Sequence, residues 1–478
     1  MRRFRRTTLI TVFCLAMLCG LGAARKLYVY PTLWLLALAP LLLFVRKKNI
    51  ISLLLVLCFG ATVGLWRGGE YMRNVHQLQS LTERKVMIIA TAASDSVYGK
   101  RGQVQFTGSG ISLVYPYQSK LAGSFKLSGF GEQMIYRGDQ VRVSGRLFPS
   151  RGSNQATIAY AQLTTLSHGG SSIYNLTRRF DAGMQNALPE PQASFGLGLL
   201  IGQRNTLPAD ITAALTAVGL VHIVAVSGYN LTIIIRGVSR LKLGSKYQKL
   251  VLSLLLIAGF VLATGFSASI VRAAIVSILS LWAWYYGRKI KPMVLITFAA
   301  AITALWNPFY LWGDTGWYLS FLAFFGVLVI SPIISARFFK KQPKLLTMVV
   351  IETLAAEVMT LPLILMTFSQ LSVVALVANA LVVPLVPLAM LLSAVAAGAG
   401  AIAPQFAGWL ALPARILLTY MLDIVHIMAS LPSVLIHRSI GLPYMLMIYI
   451  FVLVTLLIAY RKLPKVRENY EERLQITP

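Results

Sequence analysis

The sequence predicts a polytopic α-helical membrane protein of about 12 transmembrane helices, with a small OB-like β-barrel inserted on the extracytoplasmic side. Three observations support this fold class. The 478 residues are 57% hydrophobic and only 12% charged, whereas a soluble domain has about 25% charged residues. Many apolar runs approach the roughly 20 residues that a helix needs to cross a bilayer. Between about residues 82 and 167 these runs stop, and short β-rich stretches replace them.

Basic clusters set the predicted orientation of the N-terminal helices. MRRFRR precedes the first apolar run, and residues 46–48 (RKK) separate the second from the third. Lysine and arginine collect in cytoplasmic loops, so the N-terminus is predicted to be cytoplasmic; Arg25 and Lys26 do not fit this pattern. Because a second apolar run follows without an A-x-A cleavage site, the first is interpreted as a retained helix and not a signal peptide. These helices are predicted within residues 1–70, with apolar runs at about 7–23, 31–45 and 50–66.

The extracytoplasmic domain is predicted over residues 82–167. Five β-rich stretches occur there, punctuated by Gly, Ser, Asp and Pro, and this spacing is typical of a small barrel or sandwich. Five strands in a domain of this size fit an OB-like barrel, whose exposed face commonly binds oligonucleotides. The stretches are KVMIIATAA, GQVQFTGSG, GSFKLSGF, DQVRVSGRL and ATIAYAQLTTL.

This domain is basic, with ten Lys and Arg against four Asp and Glu. A domain outside the cytoplasm should not collect cations by the positive-inside rule, and aromatic residues accompany them. Cations with aromatics suit a surface that tracks phosphates and stacks bases. The alternative is that the aromatics fill the core and the cations face anionic lipid headgroups. The predicted DNA-binding residues are Lys100, Arg101, Lys126, Arg137, Arg142 and Arg146; the aromatics are Tyr98, Phe106, Tyr115, Tyr117, Phe125, Phe130 and Tyr136.

Three further regions follow. Residues 172–218 read as an amphipathic or interfacial segment that lies on, or dips into, the extracytoplasmic face. Residues 219–460 hold the remaining apolar runs and form a predicted transmembrane bundle, interrupted by Pro384 and Pro387. Residues 461–478 are predicted to be a cytoplasmic tail.

The bundle begins with an unusual segment, GLVHIVAVSGYNLTIII, at residues 219–235. It is apolar enough for a bilayer, yet it is interrupted by His222, Ser227, Gly228 and Asn230. Polar groups are costly in hydrocarbon unless they face protein or a water-filled path. We interpret them as the lining of such a path; the alternative is interhelical hydrogen bonding that holds the bundle together.

Other polar residues lie in apolar runs of the bundle. Intramembrane ionisable groups mark a polar path or a buried partner, and an asparagine near a proline marks a helix break. Asp423 and His426 share a helical face and are interpreted as a packing pair. The further candidates for the path are Arg272, Glu352, Glu357 and Asn379.

The ordered motifs of the bundle resemble the ComEC family, the membrane channel proteins of bacterial DNA uptake. GLGLLIG followed by GLVHIVAVSGYN is similar to the family's H-L-L-A-x-S-G-L-H signature. TGFSASIVRAAIVS with WNPFYLWGDTGWYLSFLAFFGV resembles a second block, and EVMTLPLILMTFSQLSVVALVANALVVPL a third. The resemblance covers nearly the whole chain and implies a channel with an OB-like external domain.

Two departures from the family pattern qualify this resemblance. The second signature histidine is Asn230 here, which keeps hydrogen bonding but removes a titratable group. Many members carry a C-terminal metallo-β-lactamase-like domain, and no H-x-H-x-D-H run occurs in this sequence. We therefore expect no enzyme activity, no catalytic residues, no metal site and no cofactor; a G-x-S-x-G elbow is also missing.

The resemblance implies a channel in the cytoplasmic membrane that takes up single-stranded DNA in natural transformation, with both termini cytoplasmic. No G-x-x-x-x-G-K-[ST] motif occurs. The expected partners are therefore the lipid bilayer, the DNA strand, and a separate ATPase or strand-binding protein, with a separate nuclease left open. The alternative function is a secondary transporter of small ions or envelope precursors, with the β domain as a structural cap.

Overall fold

The chain folds into two compact units. The first comprises Met1–Asn175 with Ile296–Tyr318, and the second comprises Leu176–Leu295 with Leu319–Pro478. The predicted bundle of residues 219–460 is thus divided between them. The computed structural model describes residues 6–27, 50–98, 102–121, 123–132, 134–149, 154–169, 172–203, 206–224, 228, 231, 235, 237–238, 245–264, 268–288, 291–339 and 343–462.

Helices dominate the described part of the chain. A π-helical turn (Gly326–Ile330) joins α11 to α12, and a 3-10 turn (Val383–Leu385) joins α14 to α15. The helices are α1 (Arg6–Leu27), α2 (Ile50–Gln79), α3 (Ser172–Ala187), α4 (Gln192–Ile201), α5 (Ala209–Ala217), α6 (Val221–Val224), α7 (Lys246–Thr264), α8 (Ala268–Tyr285), α9 (Pro292–Trp306), α10 (Phe309–Gly313), α11 (Thr315–Phe325), α12 (Ser331–Phe338), α13 (Leu345–Phe368), α14 (Ala375–Val382), α15 (Val386–Ile402), α16 (Pro404–Leu410), α17 (Leu412–Ala429) and α18 (Leu442–Lys462).

Eight of the described helical runs are long and apolar enough to cross a membrane. The protein is therefore multi-pass. The predicted span at residues 31–45 and most of the tail at 461–478 lie outside the described residues. The eight runs are Arg6–Leu27, Ile50–His76, Lys246–Thr264, Thr315–Phe338, Thr347–Phe368, Ala375–Ile402, Leu412–Ala429 and Leu442–Ala459, and the shorter apolar helices are Gln192–Ile201, Ser269–Tyr285 and Pro292–Trp306.

In the first unit, α1 and α2 pack with their backbones in close approach. A Cβ added at Gly60 would lie 2.6 Å from the Phe13 carbonyl oxygen. Gly64 and Gly68 follow at the same four-residue interval, and a Cβ on Gly64 would collide with the Met17 carbonyl oxygen. Small residues at this spacing let helices in lipid approach closely enough for dispersion contacts to hold them.

The segment Ile296–Tyr318 completes this unit against α1 and α2. Arg67 donates from Nε to the Leu305 carbonyl at 2.9 Å, and Trp312 donates from Nε1 to the Leu21 carbonyl at 3.0 Å. Arg25, which does not fit the positive-inside pattern, donates to the Trp312 carbonyl at 2.7 Å. The position of Arg25 is thus explained by a hydrogen bond to α10.

The β domain forms one sheet of seven strands in the first unit, and each of the five predicted stretches forms one of the longer strands. Two short strands are added to these. The strands are β1 (Lys85–Ala92), β2 (Val97–Tyr98), β3 (Val104–Tyr115), β4 (Ser119–Leu121), β5 (Phe125–Phe130), β6 (Gln140–Pro149) and β7 (Ala156–Ser167).

The pairings of the five longer strands return to their starting strand. The order is β1-β6-β7-β5-β3, and β3 also pairs with β1. Only β5 and β7 run parallel; the other pairs in this circuit are antiparallel. Alternate residues of β6, from Val141 to Leu147, are buried, and the residues between them face outward. The core therefore lies inside the circuit, with fully buried Phe125 and Leu127 among its members.

One core of the second unit is centred on α4. Residues 193–200 are all buried, and Phe195, Leu197 and Leu199 are 0% exposed. The sequence placed this segment on or dipping into the membrane surface, whereas the structure makes it the centre of a core with α5, α14, α15 and α17. The same unit contains a short sheet of β8 (Gln370–Ser372) and β9 (Leu435–His437).

The proline-rich break predicted in the bundle forms the turn between α14 and α15. Val383 donates its backbone N–H to the Asn379 carbonyl. Pro384 has no N–H to continue the ladder, so the chain passes through the 3-10 turn before α15 begins at Val386.

Candidate functional site

The signature segment at residues 219–235 is described only in part. Ser227 and Asn230 lie outside the described residues. His222 lies in α6 and is exposed, and its Nδ1 lies 3.0 Å from the Gly219 carbonyl. Because a carbonyl only accepts, Nδ1 carries the hydrogen. Gly228 lies at a close helix contact, where a Cβ would come within 3.2 Å of the Ala273 methyl group and the Phe324 ring.

The other predicted path residues of the second unit occupy three helices. Arg272 of α8 is only 3% exposed, so it does not extend to the surface. Glu352 and Glu357 of α13 are half-buried. Asn379 of α14 is 5% exposed, and within the described residues its Oδ1 accepts no hydrogen bond. Buried polar groups of this kind need water or protein partners.

Asp423 and His426 of α17 are not a packing pair. Both side chains are exposed, and within the described part of the chain neither makes a hydrogen bond or ion pair. The shared helical face was predicted correctly from the spacing, but that face points away from the core, which α17 contacts through Ala414, Leu418 and Val425.

In the β domain, Arg142 and Arg146 lie together on the outer face of β6. Both are exposed, four residues apart on an alternating strand. Arg146 pairs directly with Lys85 of β1, so two exposed cations stand side by side. Like charges placed directly opposite each other destabilise a sheet, so their adjacency favours an anionic ligand.

Lys126 extends the same surface across the sheet. It is exposed on β5, and its partner on β7 is Thr157. Arg146 pairs with Ala159 on the other side of β7. Thr157 and Ala159 are two residues apart on β7, and adjacent strands lie about 4.8 Å apart, so Lys126 lies diagonally across β7 from the Arg146–Lys85 pair. We name the outer face of β5, β7, β6 and β1 that bears these side chains and Arg142 the cationic face.

The remaining predicted DNA-binding residues lie elsewhere. Arg137 is half-buried in the turn before β6, and its backbone N–H donates to Asp95 Oδ1 at 2.8 Å. Lys100 and Arg101 lie outside the described residues.

Acidic side chains of the β domain are held by backbone amides. Asp139 is 0% exposed and accepts from the Tyr136 and Gly169 N–H groups at 2.9 and 3.0 Å. Glu132 accepts from the Thr165 N–H at 2.7 Å, and Asp95 accepts from Arg137. Three of the four carboxylates of the domain therefore serve the fold, and the fourth, Glu83, is exposed in the turn before β1.

The aromatic residues divide between core and surface. Phe106 and Phe125 are 4% and 0% exposed. They therefore follow the alternative prediction, in which the aromatic residues fill the core. Tyr98, Tyr115, Tyr117 and Phe130 are exposed. Tyr160, which the sequence did not single out, is 74% exposed on β7.

A groove of about 560 Å³ opens beside Lys126 within the first unit. Its walls come from the sheet and from the residues around the junction of α10 and α11. They include hydroxyl, amide and ammonium groups, which bind sugar and phosphate oxygens, and also the carboxylate of Asp314. The lining residues are Gln105, Lys126, Ser128, Asn154, Thr157, Ala159 and Gly313–Gly316.

Lys85 and Tyr160 are the two surface residues that sequence reasoning missed. Lys85 had only the signal of a lysine at the start of a β-rich stretch, because its position beside Arg146 depends on which strands pair. Tyr160 had none, because strict alternation along β7 places it on the inner face with Ala156 and Ile158. Within the described residues, no three His, Cys, Asp or Glu side chains are grouped to hold a metal ion.

Comparison with known proteins gives two matches. A family model described as "Competence protein" matches residues 199–463. ComE operon protein 3 of Bacillus subtilis (strain 168) is 24% identical over 400 residues, which cover 77% of this chain and 49% of that relative. The match thus covers about half the length of this curated relative. No solved structure matches the chain significantly.

Proposed function

The chain belongs to the competence protein family, the ComEC family that its motifs resemble, and we propose on this basis that it is a channel for single-stranded DNA. In this proposal the strand passes inward across the cytoplasmic membrane during natural transformation. A polyanion cannot cross hydrocarbon unpartnered, because each bare phosphate is too costly to desolvate. The protein must therefore supply a collecting surface and a polar path.

The cationic face is the observation that carries the collecting role. Its cations are exposed, while three of the four carboxylates of the domain, Asp95, Glu132 and Asp139, are held by backbone amides. We propose that the closed circuit of strands, with β5 and β7 as its parallel pair, is an OB-like barrel. Its cations would bind phosphates without regard to sequence.

The polar side chains of the second unit are proposed to line the path. Arg272 is buried in the shorter apolar helix α8, and Asn379 is buried in the candidate span Ala375–Ile402. Polar groups are rare in such helices unless they face a cavity or a partner. The proposed set of path-lining residues is completed by His222, Ser227, Gly228, Asn230, Glu352 and Glu357. The eight candidate spans, with the two shorter helices α8 and α9 and the predicted spans at 31–45 and 219–235, would make about twelve passes.

We propose that the β domain lies outside the cytoplasmic membrane and that both termini lie inside, as the basic loops predict. The protein itself would catalyse no reaction. A separate ATPase or strand-binding protein would then supply the force, and a separate nuclease would be needed if the other strand is degraded.

A deletion of the gene tests the channel role. We expect transformation to be abolished while DNA binding at the cell surface persists. Unchanged transformation would contradict the proposal and favour transport of small ions or envelope precursors.

A second experiment tests the cationic face in the full-length protein. In neutral-lipid nanodiscs, Arg146→Glu should weaken binding of a fluorescent single-stranded oligonucleotide. It should also flatten the salt dependence, by roughly 0.7 in log–log slope for each phosphate that the variant no longer neutralises. Lys120→Glu on β4 makes the same charge change at another exposed site and serves as the control. Equal effects of the two variants would show that only net charge affects binding. That result would contradict a specific role of the cationic face in collecting DNA.

A further inference from the structure

Tyr160 combines two features that rarely occur together in a strand. It is 74% exposed, and its φ of 54° lies in the left-handed region. Residues other than glycine are uncommon there, and a bulky residue is a genuine outlier. The strand around it is otherwise regular, with Ile158 and Leu163 buried in the core.

A β-bulge produces this conformation. On β6, Ser144 pairs with Gln162 and Arg146 pairs with Ala159, so Gly145 faces two residues, Tyr160 and Ala161. Such a bulge adds one residue to the strand and reverses which face the following side chains occupy. Tyr160 therefore points outward where alternation alone would place it inside.

Two glycines hold the bulge in place. A Cβ on Gly145 would lie 2.8 Å from the Ala161 methyl group, and one on Gly129 of β5 would collide with the Ala161 carbonyl oxygen. Ala161 is thus packed closely between β6 and β5, and it is only 2% exposed. The surrounding structure therefore imposes the left-handed conformation on its neighbour Tyr160.

The tyrosine at this position does not serve stability. Glycine or asparagine adopts the left-handed conformation more readily, and the exposed ring gains little from burial. Strained residues of this kind cluster at ligand-binding sites. A residue that opposes the local backbone preference without compensating burial indicates a contact with a ligand.

The neighbours of Tyr160 identify the class of ligand. β7 runs between β5, which bears Lys126, and β6, which bears Arg146. On β7 the outward Thr157 and Gln162 are polar and Ala159 lies between them; Phe130 of β5, which pairs with Gln162, is a second exposed ring. An exposed aromatic ring between two cations can stack on a base while the cations bind the flanking phosphates.

We propose that Tyr160 is a base-stacking residue for single-stranded nucleic acid on the cationic face, an inference that rests on the proposed function. The strained bulge presents the ring among these cations. The flanking Lys126 and Arg146, with polar Thr157 and Gln162 on β7, favour this assignment over insertion of the ring into a lipid surface.

The test compares three variants of the full-length protein in binding to a fluorescent oligothymidylate. Tyr160→Gly should weaken binding about 5- to 100-fold, because each stacked base contributes strongly to affinity. Its thermal unfolding temperature should be unchanged or higher, because the strain is relieved. Tyr160→Phe should bind within about twofold of the wild type, since the ring remains. Tyr444→Ala, at an exposed tyrosine of α18 outside the β domain, is the control and should bind as the wild type does.

The outcomes separate this inference from the proposed function. If the wild type binds and Tyr160→Gly binds equally well, the stacking role is overturned and the DNA-collecting role stands. If the wild type does not bind at low salt, both are overturned. A Tyr160→Gly effect that occurs in nanodiscs and disappears in detergent micelles would assign the ring to the lipid surface and overturn the inference. Tyr160→Asn, which also tolerates the left-handed conformation, repeats the test should the glycine variant fold poorly.

Discussion

In the β domain large apolar side chains fill the core and the cations lie outside, whereas the α1–α2 pair makes its closest contact at glycines. Large apolar side chains of this pair lie both inside, as Leu21 does, and on the outer surface. Phe125 and Leu127 are fully buried in the β domain, and Arg142 and Arg146 are exposed. Between α1 and α2, glycines meet backbone, while Leu54 of α2 is 57% exposed.

The difference shows which solvent each face meets. Water drives large apolar side chains together, at about 25 cal/mol per Å² buried. Hydrocarbon offers no such drive, since lipid tails are as apolar as leucine, so helices are held by close contact and hydrogen bonds. An exposed leucine such as Leu54 therefore fits a helix surface that faces lipid.

The largest expected effect is in the β domain core. Phe125→Ala should lower the free energy of unfolding of the β domain by about 3–5 kcal/mol, because it removes buried surface and leaves a cavity. Phe130→Ala, on the same strand but 52% exposed, should change it by less than about 0.5 kcal/mol. Amide hydrogen exchange of β1 and β6 measures both. Similarly reduced protection in the two variants would contradict a water-driven core.

The next effect tests the glycine contact between helices. Gly64→Ala should destabilise the protein by about 1–3 kcal/mol, because the new methyl group meets the α1 backbone, with Leu21 N only 2.6 Å away. Gly259→Ala on α7, where nothing lies within 4 Å, should be neutral or stabilising by up to about 1 kcal/mol through helix propensity. Thermal unfolding in one detergent compares them, and a Gly64→Ala variant as stable as the wild type would refute the close contact.

The smallest effect concerns a buried hydrogen bond. Trp317 donates from Nε1 to Thr303 Oγ1 at 3.0 Å, and both residues are less than 5% exposed. Thr303→Val should therefore cost about 1 kcal/mol or slightly more, because the indole N–H is left without its acceptor. Thr62→Val is the control, since the Thr62 hydroxyl bonds only to carbonyls of its own helix. Equal thermal shifts for the two variants would show that the indole bond contributes nothing.

Short-range patterns predicted much of the fold. The five β-rich stretches became the five longer strands because alternation within a strand depends only on adjacent residues. The break at Pro384 followed in the same way, since proline lacks an N–H wherever it occurs. The outward position of Arg142 and Arg146 was implied once β6 was known to alternate.

Long-range partners were not predictable in this way. The segment Ile296–Tyr318 was predicted to belong to the later bundle, yet it packs with α1 and α2. A helix that is apolar on all sides carries no marked face, so its sequence does not indicate which neighbour it meets. The contact of Arg25 with α10 and the burial of α4 were missed for the same reason.

The multi-pass membrane class, the basic β domain and the family motifs all follow from the amino-acid sequence alone. They depend on composition, local periodicity and residue identity, each of which can be read along the chain. Three-dimensional folding was needed to bring Lys85 beside Arg146, to place Lys126 across β7 from them, and to turn Tyr160 outward. Those positions depend on strand pairing and on the bulge of β7, which packs between Gly129 and Gly145. A single inserted residue reverses the face of every side chain after it.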